Sequence, residues 1–333
     1  MKFFNHAKGI SSSIIRYILN VIDSPVVVLI YHRVLNADND PQQLCVSKEN
    51  FHSHLQYLKK NFNVLSPDDF YEMLVKKINF KNRSVLITFD DGYYDNFENA
   101  LPVLNSLDAG ALFFVSTSNI DKDTIFFWDE LELIFKIVSD KLKMIDFDFA
   151  GLKISYDLST PELKLKSFHK IHREIKYSKE FTRSMFLKKF REACKIDDAA
   201  LISYKKDYRV MKSEEIRELS KHRLSSVGAH THTHSPLCVY GYNEQYSDIS
   251  ISKIKLEEIT GRKIEYFSYP FGSCEDYDHN SLEICHELGF KLAFSNFYGQ
   301  THRWTSRFQI PRMLVRNWEI DHFKKQMDKF FLR

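Results

Sequence analysis

Two stretches, SPVVVLIYHRVL (24–35) and RSVLITFDDG (83–92), are continuous apolar runs rich in β-branched residues. A strand with one wetted face alternates apolar and polar side chains, whereas a strand apolar throughout must be covered on both faces. These runs therefore demand a sheet with helices packed against it. The intervening sequence supplies them. A helix is expected at about 47–60 with Ser47 as its N-cap, and SPDDFYEMLVKK (66–77) carries a helix start. In the latter, Ser66 caps, Pro67 takes the first turn, and two acids lie near the positive end of the helix dipole. A helix at about 94–107 and the strand GALFFVST (110–117) follow. The alternation resumes with the helix SEEIRELSKH, the strand RLSSVGAHTH, a helix at about 244–260, the strand and turn KIEYFSYPFG, the helix NSLEICHELGF and the strand KLAFSN. Repeated strand–helix units imply an α/β fold with a parallel sheet, closed into a barrel or left open.

Between the two halves, residues 120–210 lack this rhythm and read as a mostly helical insert. From Pro161 to Lys195 it holds 11 Lys/Arg against 4 Asp/Glu, with Phe168, Ile171, Ile175, Phe181, Phe186 and Phe190 interleaved. A solvated helical face is the plain reading; an anion-binding lid for an acidic glycan or a lipid pyrophosphate is the sharper one. We divide the chain into an N-terminal helical segment (1–23), a main domain (24–318) interrupted by the insert, and a C-terminal helix (319–333). Ile10, Ile14, Ile18 and Val21 share a stripe that suits packing on the domain or an interfacial helix on a membrane surface. The segment is too short for a membrane span and lacks a signal-peptide pattern. The expectation is a cytoplasmic protein, peripheral at the inner membrane face through this helix or the basic insert, with an extracytoplasmic location as the alternative. The net charge of +3 gives no reason to expect nucleic acid as a partner. Five scattered cysteines without a CxxC argue against a disulfide framework.

In parallel α/β folds ligands sit beyond the carboxyl ends of strands. Four polar clusters fall at such ends: Tyr31-His32, Asp90-Asp91-Gly92, His230 to His234, and Tyr269-Pro270-Phe271-Gly272. Asp90 and Asp91 are like charges that can share a pocket only if a cation lies between them or one is protonated. A divalent metal resolves this, with one carboxylate ligating and the other taking a proton from the activated water; alone, the pair equally suits a turn. His230 and His234, four residues apart, complete a set of two imidazoles and one carboxylate that leaves metal positions open, as catalysis requires. The same set occurs in non-haem iron oxygenases, but this chain has too many helices between its strands for their usual architecture. No HExxH is present.

TFDDG (88–92), HTHTH (230–234) and SYPFG (268–272) occur in an order and strand context that resemble the three motifs of the polysaccharide deacetylases, the carbohydrate esterase family 4 or NodB-homology group. The resemblance covers about 24–118 and 213–318. It implies a distorted (β/α) barrel of about seven parallel strands. It further implies that Asp91, His230 and His234 hold a divalent metal, usually zinc, with cobalt or another divalent ion able to substitute. Asp90 would be the general base, and Thr231 would support the second histidine. Two departures stand out. Ser268 occupies the place where the third motif often has an arginine, and the usual late Leu-x-x-His histidine has no match. His32, ending the first strand, resembles the early histidine that serves as acid in the branch of exopolysaccharide poly-N-acetylglucosamine deacetylases; a hydrogen-bonded core histidine is the competing reading. Arg312 is the candidate to pair with Asp90 in place of the missing arginine, and His232 is left spare.

The implied chemistry is metal-assisted hydrolysis of a sugar acetamide. A backbone N–H near Phe271 would help hold the oxyanion, His32 would protonate the departing amine, and Tyr93, Tyr269, Phe271 and Trp128 would contact sugar rings. The expected partner is an N-acetylated polysaccharide, oligosaccharide or lipid-linked sugar. An O-acetyl (xylan-type) esterase and an inactive glycan-binding protein on the same fold are the alternatives.

Overall fold

The computed structural model describes residues 18–331 except 39, 82, 198, 200 and 202–204. Half of the expected N-terminal stripe (Ile10 and Ile14) lies outside the described residues; 18–22 are helical, with Ile18, Val21 and Ile22 exposed. No described helix is long and apolar enough to cross a membrane.

The apolar runs form β1 (Val26–Tyr31) and β5 (Ser84–Phe89), paired in parallel over their whole lengths and buried at every position. In sequence order, the short pair β2 (Arg33–Val34) and β3 (Cys45–Val46) follows β1 and leads into α1 (Lys48–Asn61). Next come β4 (Asn63–Val64) and α2 (Pro67–Val75). After β5 a π-turn at Asn96–Ala100 runs into α3 (Leu101–Ser106), then β6 (Ala111–Val115). As the caps require, the Ser47 and Ser66 hydroxyls accept from the amides of Asn50 and Asp69. The second half supplies α7 (Ser213–Lys221), β9 (Ser225–Ala229), α8 (Tyr242–Thr260), β10 (Tyr266–Ser268), α9 (His279–Glu287), β11 (Leu292–Phe294), β12 (Met313–Leu314) and α10 (Ile320–Asp328). The sheet runs β11-β10-β9-β6-β5-β1-β12, all parallel, with β4 added alongside the start of β5. Ile310 bridges Phe294 next to β11, and Met313–Leu314 pair with Leu29–Ile30 of β1, so the segment 310–314 joins the two sheet edges. This is the curled (β/α) architecture of about seven strands.

Alternation along the strands separates two cores. Val27, Leu29, Val85, Ile87, Phe113 and Val115 pack outward against Phe51 and Leu55 of α1, Ile216 of α7 and Leu256 of α8. Val26, Val28, Leu86, Leu112, Phe114 and Phe294 point inward, with Phe70 and Leu74 of α2 packed among them. The inward row of β5 reads Leu86, Thr88, Asp90. It therefore passes from apolar interior to polar floor as the strand reaches its carboxyl end.

The insert contains α4 (Phe127–Ile137), α5 (Pro161–Lys176) and α6 (Glu180–Ala193). It also contains an antiparallel hairpin, β7 (Met144–Phe149) and β8 (Leu152–Asp157), that the helical expectation missed. The signal was present: MIDFDF and LKISYD alternate, and Ala150-Gly151, at φ +51° and +78°, form a two-residue turn of the hairpin kind. The insert folds around its own core of Phe135, Phe168, Ile171, Ile175, Phe186 and Phe190, so the interleaved aromatics are packing residues; Phe181 is the exception, 77% exposed.

Close approach of β9 to β6 depends on Gly228. A Cβ there would lie 2.6 Å from the Phe114 ring and 2.9 Å from the Tyr266 carbonyl. Gly228→Ala is expected to destabilise the protein by about 1–3 kcal/mol through overpacking. Gly110→Ala, whose Cβ would meet only the Leu224 carbonyl at 3.4 Å, should shift the urea midpoint far less.

Candidate metal centre and active-site cleft

Thr88 and Asp90 face inward from the end of β5, and the Asp90 amide donates to Tyr31 O at 3.0 Å, so its position is fixed by β1. The chain then turns sharply. Asp91 and Gly92 adopt φ of +73° and +76°, and a Cβ on Gly92 would lie 2.8 Å from Val115 Cγ1. This left-handed step, unfavourable for Asp91, sends its carboxylate to the same side as that of Asp90. At the end of β9 the chain does the same: Thr231 and His234 have φ of +60° and +54°. The Thr231 hydroxyl accepts from the His234 amide at 3.0 Å, and so helps shape the turn that carries the second imidazole.

These turns bring Asp91, His230 and His234 together, all buried. His234 Nε2 lies 3.0 Å from Asp91 Oδ1 and 3.1 Å from His230 Nε2, and His230 Nε2 lies 3.5 Å from Asp91 Oδ1. Bonds of 2.0–2.1 Å to a tetrahedral ion place neighbouring donor atoms about 3.3 Å apart. The three separations match that figure, so the donor set fits a single divalent ion. The ring orientation agrees. His230 Nδ1 sits 2.7 Å from the Ser268 carbonyl, to which it donates, leaving the Nε2 lone pair free to face the other two donors. His234 is held instead by packing: its ring centroid is 4.6 Å from Trp128, 5.1 Å from Phe271 and 5.3 Å from Phe126.

Asp90 stands beside this cluster, its Oδ2 3.7 Å from His230 Nε2. Arg312 grips it in a fork, Nη1 to Oδ1 and Nη2 to Oδ2, both at 2.7 Å. Ser268, in the place where an arginine was missing from the motif, donates its hydroxyl to Asp90 Oδ2 at 3.1 Å and accepts from Arg312 Nη2 at 2.8 Å. Burial alone would push Asp90 up; the guanidinium outweighs it and holds the carboxyl below the ordinary range. Asp91 is likewise held down against burial, by its histidine partners. Among the imidazoles, burial lowers His234, whereas His230 is raised because the two aspartates overcome its burial. The cluster is thus an anionic centre, two carboxylates held ionised beside two imidazoles, as a cation site requires.

His32 and Phe271 line the same cleft, about 540 Å³ in volume, with Trp128, Asp90, Asp91, His230 and His234. His32 Nδ1 is buried without a hydrogen-bond partner among the described residues, and burial lowers its pKa against the pull of Asp91 and Asp90. A hydrogen-bonded core histidine is therefore not what the side chain is. Phe271 adopts φ +59°, and its amide makes no hydrogen bond among the described residues. His232 turns away, its Nδ1 2.8 Å from Thr117 Oγ1.

Two aromatic expectations are corrected. Tyr93 is fully buried and donates its hydroxyl to Asp129 at 2.8 Å, within the core of the insert. Tyr269 is 1% exposed, stacks on Tyr277 at 4.0 Å and donates to the Phe308 carbonyl. Neither lines the cleft. Each follows a motif residue, but strand alternation and the turns direct it into packing. Trp128 is on the cleft wall, 3% exposed, its indole N–H donated to the Tyr93 hydroxyl.

Asp248 of α8 was not singled out in the sequence. Its carboxylate accepts from the Thr233 amide at 2.9 Å and hydroxyl at 3.2 Å, and so secures the loop between the two cluster histidines. Burial raises it to about 6. A raised folded-state pKa means a proton held more tightly in the native state, so stability declines as pH rises from the unfolded carboxylate value through about 6. Asp248→Asn, which keeps an acceptor for Thr233, is expected to remove this decline. Wild type should lose about 2 kcal/mol more than the variant between pH 4 and pH 7.5, read by denaturant unfolding of the metal-free protein.

Comparison with known proteins agrees with this arrangement. The family model described as "Polysaccharide deacetylase" matches residues 77–141 and 196–293, leaving out 142–195. YxkH of Bacillus subtilis (strain 168), provisionally assigned as a polysaccharide deacetylase, is 34% identical over 94 residues, 28% of this chain; the match spans about a third (32%) of that relative's length. Among solved structures, IcaB from Ammonifex degensii superposes with a TM-score of 0.60 at 20% identity, covering 92% of this chain and 97% of that one. Streptococcus pyogenes deacetylase PplD, solved with acetate, gives 0.59 at 18% identity, covering 92% and 99%. At such identities these two share the fold. With the ordered motifs meeting in one cleft and the family model matching both halves of the barrel, the chain belongs to the polysaccharide deacetylase family.

Proposed function

We propose that this protein is a metal-dependent hydrolase that removes N-acetyl groups from a sugar of a polysaccharide, oligosaccharide or lipid-linked glycan. The observation that carries the reading is the convergence of Asp91, His230 and His234 beside the Asp90–Arg312 pair on the floor of a cleft that His32 also lines.

A divalent ion held by Asp91, His230 and His234, zinc first among the choices, would supply Lewis-acid polarisation of the acetyl carbonyl and a more acidic water. Asp90 takes the proton of the attacking water. Arg312 positions it and keeps it ionised, so the base is available without a neutral reservoir. The Phe271 amide is a free donor for the carbonyl oxygen as negative charge grows there. His32, entering the step protonated, delivers that proton to the sugar nitrogen, because an amine leaves poorly as an anion; with its pKa lowered by burial, this is the form that rising pH removes. The inactive glycan-binding alternative rested on the absent motif arginine and the absent late histidine; Arg312, just before β12, reaches Asp90 and answers the first, and His32 is the candidate that answers the second. Trp128 and Phe271 contribute apolar walls for a sugar ring.

Purified protein loaded with zinc is expected to release acetate from N-acetylglucosamine oligomers, to stop when a chelator strips the metal, and to restart on zinc addition. Faster release from O-acetylated xylan than from any N-acetyl sugar would reverse the substrate assignment. His230→Ala and His234→Ala should each abolish stoichiometric zinc binding in metal analysis. Asp90→Asn should bind zinc normally while kcat falls by about 10²–10⁴, the usual contribution of a proton-transfer group. The same variant leaves Arg312 buried without a countercharge, and should unfold about 3 kcal/mol more easily at neutral pH.

A further inference from the structure

The proposed chemistry accounts for the floor of the cleft and leaves its wall unexplained. α5 of the insert brings His169, His172 and Lys176 to the rim, and Arg316, two residues past β12, lines the same cleft. Most charges here are matched. Asp90 is paired with Arg312, and Lys176 Nζ lies 2.6 Å from Asp276 Oδ1 and 4.5 Å above the Phe271 ring. Arg316 is not matched. It is half-buried, and its Nη1 donates to the carbonyls of Gln42, at 2.9 Å, and Gln43. Among the described residues no carboxylate lies within 4 Å of its guanidinium, and its Nε and Nη2 have no hydrogen-bond partner. Asp40, which acts on it electrostatically, is committed to the amides of Leu44 and Cys45 at 3.0 and 2.8 Å.

A guanidinium that has lost part of its hydration, and has recovered only two carbonyl contacts, presents an unused donor fork of the geometry that carboxylate and phosphate oxygens fit. His172 adds to it. It is half-buried, stacked on Phe127 at 5.5 Å, and makes no hydrogen bond among the described residues. A neutral sugar hydroxyl would satisfy neither charge nor fork. The cleft volume lies within the range of small-ligand sites, room for more than the reacting acetamide.

We propose that Arg316, with His172 and His169 of the insert, forms a subsite for an anionic oxygen group, carboxylate or phosphate, carried next to the N-acetyl sugar, so that the substrate is an acidic glycan. This rests on the deacetylase reading for its catalytic meaning, but the subsite itself is defined by binding. Residues 142–195, which supply both histidines, lie outside the segments that match the family model.

The test is isothermal titration of zinc-loaded protein with three probes: a neutral N-acetylglucosamine tetramer, a hyaluronan tetrasaccharide carrying carboxylates, and N-acetylglucosamine 1-phosphate. At least one anionic probe should bind about tenfold or more tighter than the neutral one, the worth of one charge-assisted hydrogen bond. Which of the two binds tighter separates a uronate from a phosphate source. Arg316→Gln should erase the preference while leaving neutral binding within about twofold, and His172→Ala should reduce it in part. If Arg316→Gln does not fold, the wild-type preference must collapse as salt rises, as screening of an ion pair demands. Equal binding of all three probes, or a preference that survives both Arg316→Gln and high salt, overturns the subsite. Acetate release in parallel keeps the two readings apart. Deacetylation without anion preference sinks the subsite alone, whereas an Arg316-dependent preference without acetate from any probe sinks the deacetylase alone.

Discussion

The Arg312 side chain is the tie on which the site and the closed sheet both depend. Its Nε donates to the Ser295 carbonyl beyond β11, Nη1 to Thr88 and Asp90 at the end of β5, and Nη2 to Asp90 and Ser268 of β10. One guanidinium thus fastens residues from three strand ends to the segment that joins the sheet edges, with the Phe114 ring 5.6 Å away. An ion pair this deep is weak evidence for net stability, because desolvation consumes much of the attraction. Its effect is geometric: it fixes where Asp90 stands and keeps it ionised. Ser268, where the motif led us to expect an arginine, adds a hydroxyl that bridges Asp90 and the Arg312 guanidinium.

His234 and Asp91 are held by backbone that the residues themselves disfavour. Asp91, Thr231, His234 and Phe271 all have positive φ, and each such residue costs on the order of 1–3 kcal/mol. The strands that precede them are buried at nearly every position, so the sheet over-determines the turns. Strain at the carboxyl ends is offset by packing below. The same division explains why the polar floor tolerates two adjacent carboxylates: one is neutralised by Arg312, and the other is aimed at two imidazoles.

Much of this was legible in the chain. Strands buried on both faces announce themselves by unbroken β-branched runs, and the three motifs lie where strands must end. What was hidden was set by long-range geometry or by alternation. The Asp90–Arg312 contact spans 222 positions, so the sequence could name both partners without showing the bidentate fork or Ser268 between them. Tyr93 and Tyr269 look like cleft residues because they adjoin motif residues, yet a single step along an extended or turning backbone reverses the side chain's direction. Asp248 gave no signal, since its role exists only once α8 is laid beside the HTHTH loop. In the insert, counting charge obscured the hairpin, whose period-two pattern was readable, and hid the fact that the apolar residues between the lysines form a core.

The insert is not an appendage to a finished site. Phe126, Trp128 and Phe271 are the walls against which the His234 ring rests, and Phe126 and Trp128 belong to the core that the insert helices complete. Tyr93, one residue beyond the DDG turn, carries that core back to the catalytic loop, with Arg33 stacked over its ring at 4.5 Å and paired to Asp95 at 3.0 Å. Loosening α5 or α6 would therefore free the imidazole that burial and stacking hold in place, even though neither helix touches the donor atoms. The barrel fixes the carboxylates and His230 through its strands; the insert fixes His234 and supplies the rim. A chain built this way can change what the cleft admits by changing residues 142–195, but only with side chains that preserve the packing behind His234. This constraint couples substrate choice to the geometry of the Asp91–His230–His234 cluster.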